Sequence, residues 1–130
     1  MRVFLASMMA LAAQTVVLAQ EPAAPLPAEA AANPVVWSAK SLYEHDAKNM
    51  IAAAEQMPEN KYSYRPTPDQ RTFGDIVAHI AQSNGGLCGA LSGTTPPAAL
   101  HMSNTASKAD LVAGLKASFD FCGPVLNHLT

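Results

Sequence analysis

Four histidines, His45, His79, His101 and His128, are the side chains of this sequence best suited to bind a metal ion or move a proton near neutral pH. Counting 100° per residue along a helix separates them. His45 falls almost opposite the apolar stripe of its own helical stretch, and so does His128, so both read as solvated. His101 falls in a loop. His79 lies on the border of an apolar stripe, beside Ile76 and Ser83 and one turn after Asp75. It is the histidine best placed to look into a crevice between helices, although position alone favours a boundary histidine hydrogen-bonded to a neighbour. One histidine is no metal centre, since a catalytic zinc takes about three protein ligands and keeps an open position. The sequence holds no HExxH, HxxxH or CxxC pattern. Asp75 could orient the imidazole from behind, but it is more simply the cap of its helix. Ser83, one turn from His79, lacks the orienting third group and oxyanion site that a serine hydrolase needs, and there is no GxSxG elbow or glycine-rich phosphate loop.

Cys88 and Cys122 are the only cysteines. In an exported chain an even count suggests a disulfide. Both also lie on apolar stripes, where a free thiol behaves as a small buried apolar group. Geometry decides between these. If their two helices run antiparallel, the cysteines lie far apart; if the long 93–104 connection lets them run parallel, they can meet. The balance leans to a bond, which would stabilise the fold by a few kcal/mol through the loop it closes.

Three helical stretches must position these residues. In the first, after Pro34, Val35, Val36, Ala39, Leu42, Tyr43, Ala47, Met50, Ile51, Ala54 and Met57 recur at three- and four-residue steps, and Pro58 closes it. The polar segment 59–71, punctuated by Pro66 and Pro68, reads as a loop. Its Tyr62, Tyr64 and Arg65 could line a pocket, but ordinary connection is the simpler reading. The second stretch opens on Thr72 and Asp75, which fit a capping box. Phe73, Ile76, Val77, Ile80, Asn84, Leu87, Cys88 and Leu91 form its face, weakened by Gly85-Gly86. After a second loop around Pro96-Pro97, the third stretch starts at Ser107 with Asp110 three residues on. Its stripe is Leu111, Leu115, Phe119, Cys122, Leu126 and Leu129, with a kink expected at Gly123-Pro124. The stretch runs in helical register to Thr130.

The remaining features bound the class. The chain has 130 residues, room for one domain. Its 8 basic and 10 acidic residues give a net charge of −2, with none of the basic excess that marks nucleic-acid binding. Residues 1–19 read as a signal peptide: Arg2 is followed by an Ala-rich apolar run, and Val17-Leu18-Ala19 suits cleavage after Ala19. The run is short for a membrane anchor. Residues 20–34, with Pro22, Pro25 and Pro27, read as a Pro/Ala-rich flexible tether, which leaves 35–130 as the domain. The protein is thus expected to be exported, periplasmic or secreted, with no membrane association after cleavage.

The order of features resembles a known family. Trp37 and Leu42-Tyr43-Glu44-His45-Asp46 come first, then Tyr64-Arg65-Pro66, then Arg71-Thr72-Phe73-Gly74-Asp75-Ile76-Val77-Ala78-His79-Ile80. Over 35–130 this is similar to the DinB-like (DinB/YfiT) superfamily of metalloenzymes, especially its exported members. The resemblance implies an all-α four-helix bundle, of which three helices are present, with a divalent metal such as zinc or nickel held between helices. It maps the first metal-binding histidine onto His79. The family's other two ligands come four residues apart from a fourth helix, for which no residues follow Thr130; neither His101 nor His128 matches that motif. The expectation is either a chain cut short of its fourth helix, which the abrupt end favours, or an incomplete bundle without metal.

Family relatives include thiol-dependent transferases and isomerases, in which the cation activates a small thiol. A bound cation lowers the pKa of its ligand, and hydrolysis by metal-bound water uses the same chemistry. One reading is therefore an exported metal-dependent transferase or hydrolase acting on a small molecule, with His79 as one ligand and the homodimer common in the family. Its rival is a non-catalytic exported helical binding or structural module without metal. In a third reading the three helices close into a complete bundle; an exposed apolar face would count against it.

Overall fold

The computed structural model describes residues 24–103 and 105–129, which form helices and no strand. The expected signal peptide lies outside the described residues. The helices are α1 (Ala28–Ala32), α2 (Pro34–Gln56), α3 (Phe73–Ser92) and α4 (Lys108–Asn127), with 3-10 turns at Glu59–Lys61 and Ala98–Leu100. The stretch expected as a tether thus contains a short helix, bounded by Pro27 and Pro34. Its Ala30 is buried beside α2, and Glu29 pairs with Lys40 at 3.7 Å. At the other end α4 closes at Asn127, with His128 as its cap, although the apolar register continues to Leu129.

Each long helix begins where its cap dictates. Asn33 accepts from the Val36 N–H ahead of Pro34, whose missing N–H costs nothing at the first position. Thr72 and Asp75 exchange side-chain bonds of 3.0 and 2.9 Å with each other's backbone N–H. The two N–H groups between them, Phe73 and Gly74, donate to the carbonyls of Tyr64 and Tyr62, so the loop before α3 satisfies its whole first turn. Ser107 caps α4 by accepting from the Asp110 N–H at 3.2 Å, and its hydroxyl donates to the Asp110 carboxylate at 2.7 Å. The helix continues through Pro124 to Asn127.

Helix directions follow from the contacts. Between α3 and α4 the pairs Gly74 with Leu111, Asn84 with Ser118, and Cys88 with Cys122 ascend together, so these helices are parallel. Between α2 and α4 the order reverses: Lys40 reaches the carbonyls of Asn127 and Leu129, Tyr43 donates to the Phe119 carbonyl at 2.9 Å, and Glu55 pairs with Lys116 at 2.5 Å. Lysines thereby cap helix ends in both directions, since Lys108 Nζ donates to Glu55 O and Met57 O at the end of α2, 2.8 Å each. Ala54, Tyr62, Val77, Ala78, Leu111, Leu115 and Phe119 form the core. The Tyr62 hydroxyl is satisfied by the Ala54 carbonyl at 2.6 Å.

Parallel helices need a long return. Residues 93–103 run back along the pair, seated in notches where a helix has no side chain. Leu100 lies on Gly85, Pro96 on Gly89 and the Met102 thioether on Gly114. The same alignment brings Cys88 and Cys122 to 5.4 Å between Cα atoms, joined by a disulfide across 34 residues. Chain entropy puts its contribution at about 4 kcal/mol.

The apolar stripes are only partly covered. On α2, Tyr43, Ala47, Ile51 and Ala54 turn inward, whereas Val35 is 76% and Leu42 62% exposed. On α3, Val77, Ala81 and Cys88 are buried, whereas Leu87 is 67% and Leu91 62% exposed, with Ile76 also open. Each face is wider than one neighbour covers, so α2 and α3 keep an apolar flank and the three long helices do not close over all their apolar faces.

Two outcomes follow from this packing. Gly89→Ala should lose about 1–3 kcal/mol in urea unfolding, because its Cβ would meet Pro96 Cγ at 2.9 Å and the Thr94 carbonyl at 3.0 Å. Gly86→Ala, with nothing near its Cβ, should instead gain about 0.5–1 kcal/mol. Burial, and secondarily the Asp120 carboxylate, pushes the Tyr43 hydroxyl up to about 12, and burial also raises Tyr62. A raised pKa means the unfolded chain ionises first, so stability should be full below pH 10 and fall between pH 10 and 12. Tyr43→Phe should flatten that fall, measured as unfolding midpoint against pH.

Candidate functional site

His79 stands on the outer side of α3, exposed, one turn after Asp75. It lines a depression of about 470 Å³ between α3 and the return segment, with Arg71, Asp75, Gln82, Met102 and Ser103. The crevice it faces is therefore made by a helix and a loop rather than by two long helices. Gln82 closes one side by donating to the Met102 carbonyl at 2.7 Å. Sequence reasoning assigned nothing to Arg71, Gln82, Met102 or Ser103. Gln82 was findable as the next residue on the His79 side of the helix, whereas Met102 and Ser103 arrive only through the return segment.

Asp75 is placed by the capping box, its carboxylate accepting from the Thr72 N–H. It also belongs to the depression, so one side chain serves helix and site wall together. The other histidines stand apart. His45 contacts Asn49 at 3.2 Å and Asp46 at 3.6 Å on the exposed side of α2. His101 ends the 3-10 turn Ala98–Leu100, and His128 caps α4. Among the described residues no three His, Cys, Asp or Glu side chains come together to hold a metal ion. His79 and Asp75 do not make a metal centre by themselves.

Two further cavities bear on the sequence reading. One of about 430 Å³ lies at the end where α3 and α4 both begin, lined by Tyr62, Arg65, Thr72, Asp75, Ser107 and Lys108 among others. Tyr62 and Arg65 of the loop before α3 thus do line a pocket, while Tyr64 is exposed outside it. Its cations are engaged: Arg65 with the Pro68 carbonyl, Lys108 with the end of α2. The other, about 640 Å³, lies at the opposite end between Leu91, Phe121, Pro124, Val125 and Leu129, with Asp120 and His128 at its edge.

The described residues make an all-helical domain in which α3 and α4 run parallel, aliphatic side chains stay exposed on α2 and α3, and His79 stands near the end of the second turn of α3. The family model of the DinB superfamily matches residues 42–130, and the chain belongs to that superfamily. Neither a curated protein nor a solved structure matches it. No helix among the described residues is long and apolar enough to cross a membrane.

The geometry separates Asp75 and His79 by role. Asp75→Ala should cost about 1 kcal/mol in chemical unfolding through loss of the cap. His79→Ala, at an exposed position, should stay within about 0.5 kcal/mol of the parent.

Proposed function

We propose that this chain is an exported DinB-type domain in which His79 contributes one ligand to a divalent-metal site, zinc, nickel or a similar ion, whose other ligands are brought by a further helix lying on the open flank of α2 and α3. The activity would be metal-dependent transfer or hydrolysis on a small-molecule substrate, in the periplasm or outside the cell. The observation that carries the reading is the apolar flank of Leu42 on α2 and Ile76, Leu87 and Leu91 on α3, left open in a member of this superfamily. Exposed aliphatic side chains at helical spacing, on two helices that both pack against α4, are what a covering helix would bury. A second copy of the chain could cover the same flank in a homodimer.

The rival reading, an exported binding or structural module without metal, is favoured by the solitary position of His79 among the described residues. Metal content separates the two. Expressed from its full reading frame and purified in the presence of zinc or nickel, the protein should hold about one ion per chain by elemental mass spectrometry. His79→Ala should lower that content by about tenfold or more at unchanged helicity. Equal content in both proteins, or none in either, would turn the assignment to the metal-free module.

A further inference from the structure

The side chains that fill the protein are unevenly spread along the α3–α4 pair. The buried residues of the core cluster end at Ala78 on α3, with half-buried Ile80 packed against them, and at Phe119 on α4. Beyond it, towards the later turns of both helices, the facing residues are small: Ala81, Gly85, Cys88 and Gly89 against Cys122, with Ser118 at the boundary beside Phe119. The one large buried side chain at that end is Leu100, lent by the return segment and seated on Gly85. Among the described residues one hydrogen bond between side chains, Asn84 to Ser118 at 3.1 Å, crosses between the helices there, and the Cys122 sulfur lies 3.4 Å from the Asn84 carbonyl. Small residues permit close approach of the two backbones but bury little apolar area, so dispersion and the hydrophobic effect hold this end weakly.

What crosses it covalently is Cys88–Cys122, whose residues are 3% and 2% exposed. We infer that the disulfide divides the domain into two parts: a thiol-independent half built on Tyr62, Val77, Leu111, Leu115 and Phe119, and a distal half of α3 and α4 that is ordered only while the bond is intact. The cavity of about 640 Å³ belongs to the distal half, since Leu91 and Phe121 in its walls lie three residues after Cys88 and one before Cys122. The domain is thus a redox-sensitive device: it completes its fold where thiols are oxidised and stays open at one end where they are reduced. In the reducing step a dithiol gives two electrons and two protons to the bond, leaving two cysteine thiols and the cyclic disulfide of the reagent.

Backbone hydrogen exchange on the whole mature protein reads this directly. Because the bond is buried, the protein is reduced with dithiothreitol in urea and returned to buffer with dithiothreitol present; oxidised protein taken through the same cycle is the reference. The expected result is exchange faster by about 100-fold or more in the later turns of α3, from Gly85, and of α4, from Asp120, with peptides covering Tyr62, Val77 and Leu111 changed by less than about threefold. The double variant Cys88→Ala/Cys122→Ala should show the same pattern without reductant. Unchanged protection in the distal turns would show that packing alone holds them, and loss of protection throughout would show a single cooperative unit; either result overturns the inference.

Discussion

The parallel pairing of α3 and α4 is the constraint on which the rest of the structure depends. Two helices joined in sequence can pack antiparallel through a short turn, but a parallel pair obliges the chain to travel back the length of a helix. Here residues 93–103 do so. Their backbone would be exposed and loose if they lay over ordinary side chains. Three glycines remove that difficulty by letting Pro96, Leu100 and Met102 settle against the helix backbones. Glycine within a helix costs roughly 1 kcal/mol relative to alanine. At Gly85, Gly89 and Gly114 the close seating of those three side chains offsets that cost.

The same pairing decides what surrounds His79. Because α3 and α4 begin at one end, both capped starts, Thr72 and Ser107, lie together, and the return segment must pass beside the early turns of α3 before it can reach Ser107. That passage brings Met102 and Ser103 alongside His79 and Gln82. Asp75 stands where cap and depression overlap, so its carboxylate is already engaged by the Thr72 N–H before any ligand arrives. The open flank of α2 and α3 has the opposite origin. Both helices carry apolar faces wider than their packing against α4 consumes, and what remains is aliphatic surface facing outwards.

Several features of this arrangement were legible in the residues. The capping box at Thr72 and the serine cap at Ser107 are local chemistry, complete within four residues, and so are the proline and asparagine at the start of α2. The three long helices follow from periodicity over 20 or so residues, a signal strong enough to survive Gly85-Gly86 and Pro124. The short helix α1 was hidden because its alanines have no apolar period to read and its stability comes from burial of Ala30 beside α2 and the Glu29–Lys40 pair. Residues of the depression such as Ser103 were hidden for a different reason: nothing in a loop's own sequence says which helix it will cross.

By itself, then, the sequence determined the positions of the three long helices, the caps of α3 and α4, the family and the place of His79 at the border of an apolar stripe, since each of these rests on residues within a few turns of one another. Tertiary structure alone decided the direction of α4 relative to α3. Both directions bury Leu111, Leu115 and Phe119 from the same stripe, so periodicity is blind to the choice. The choice nevertheless settles whether Cys88 can reach Cys122, which side chains face His79, and how much of the aliphatic surface of α2 and α3 stays open. Long-range contacts between residues dozens of positions apart carry that decision, through glycine notches and one covalent bond that no local pattern ranks above its alternatives.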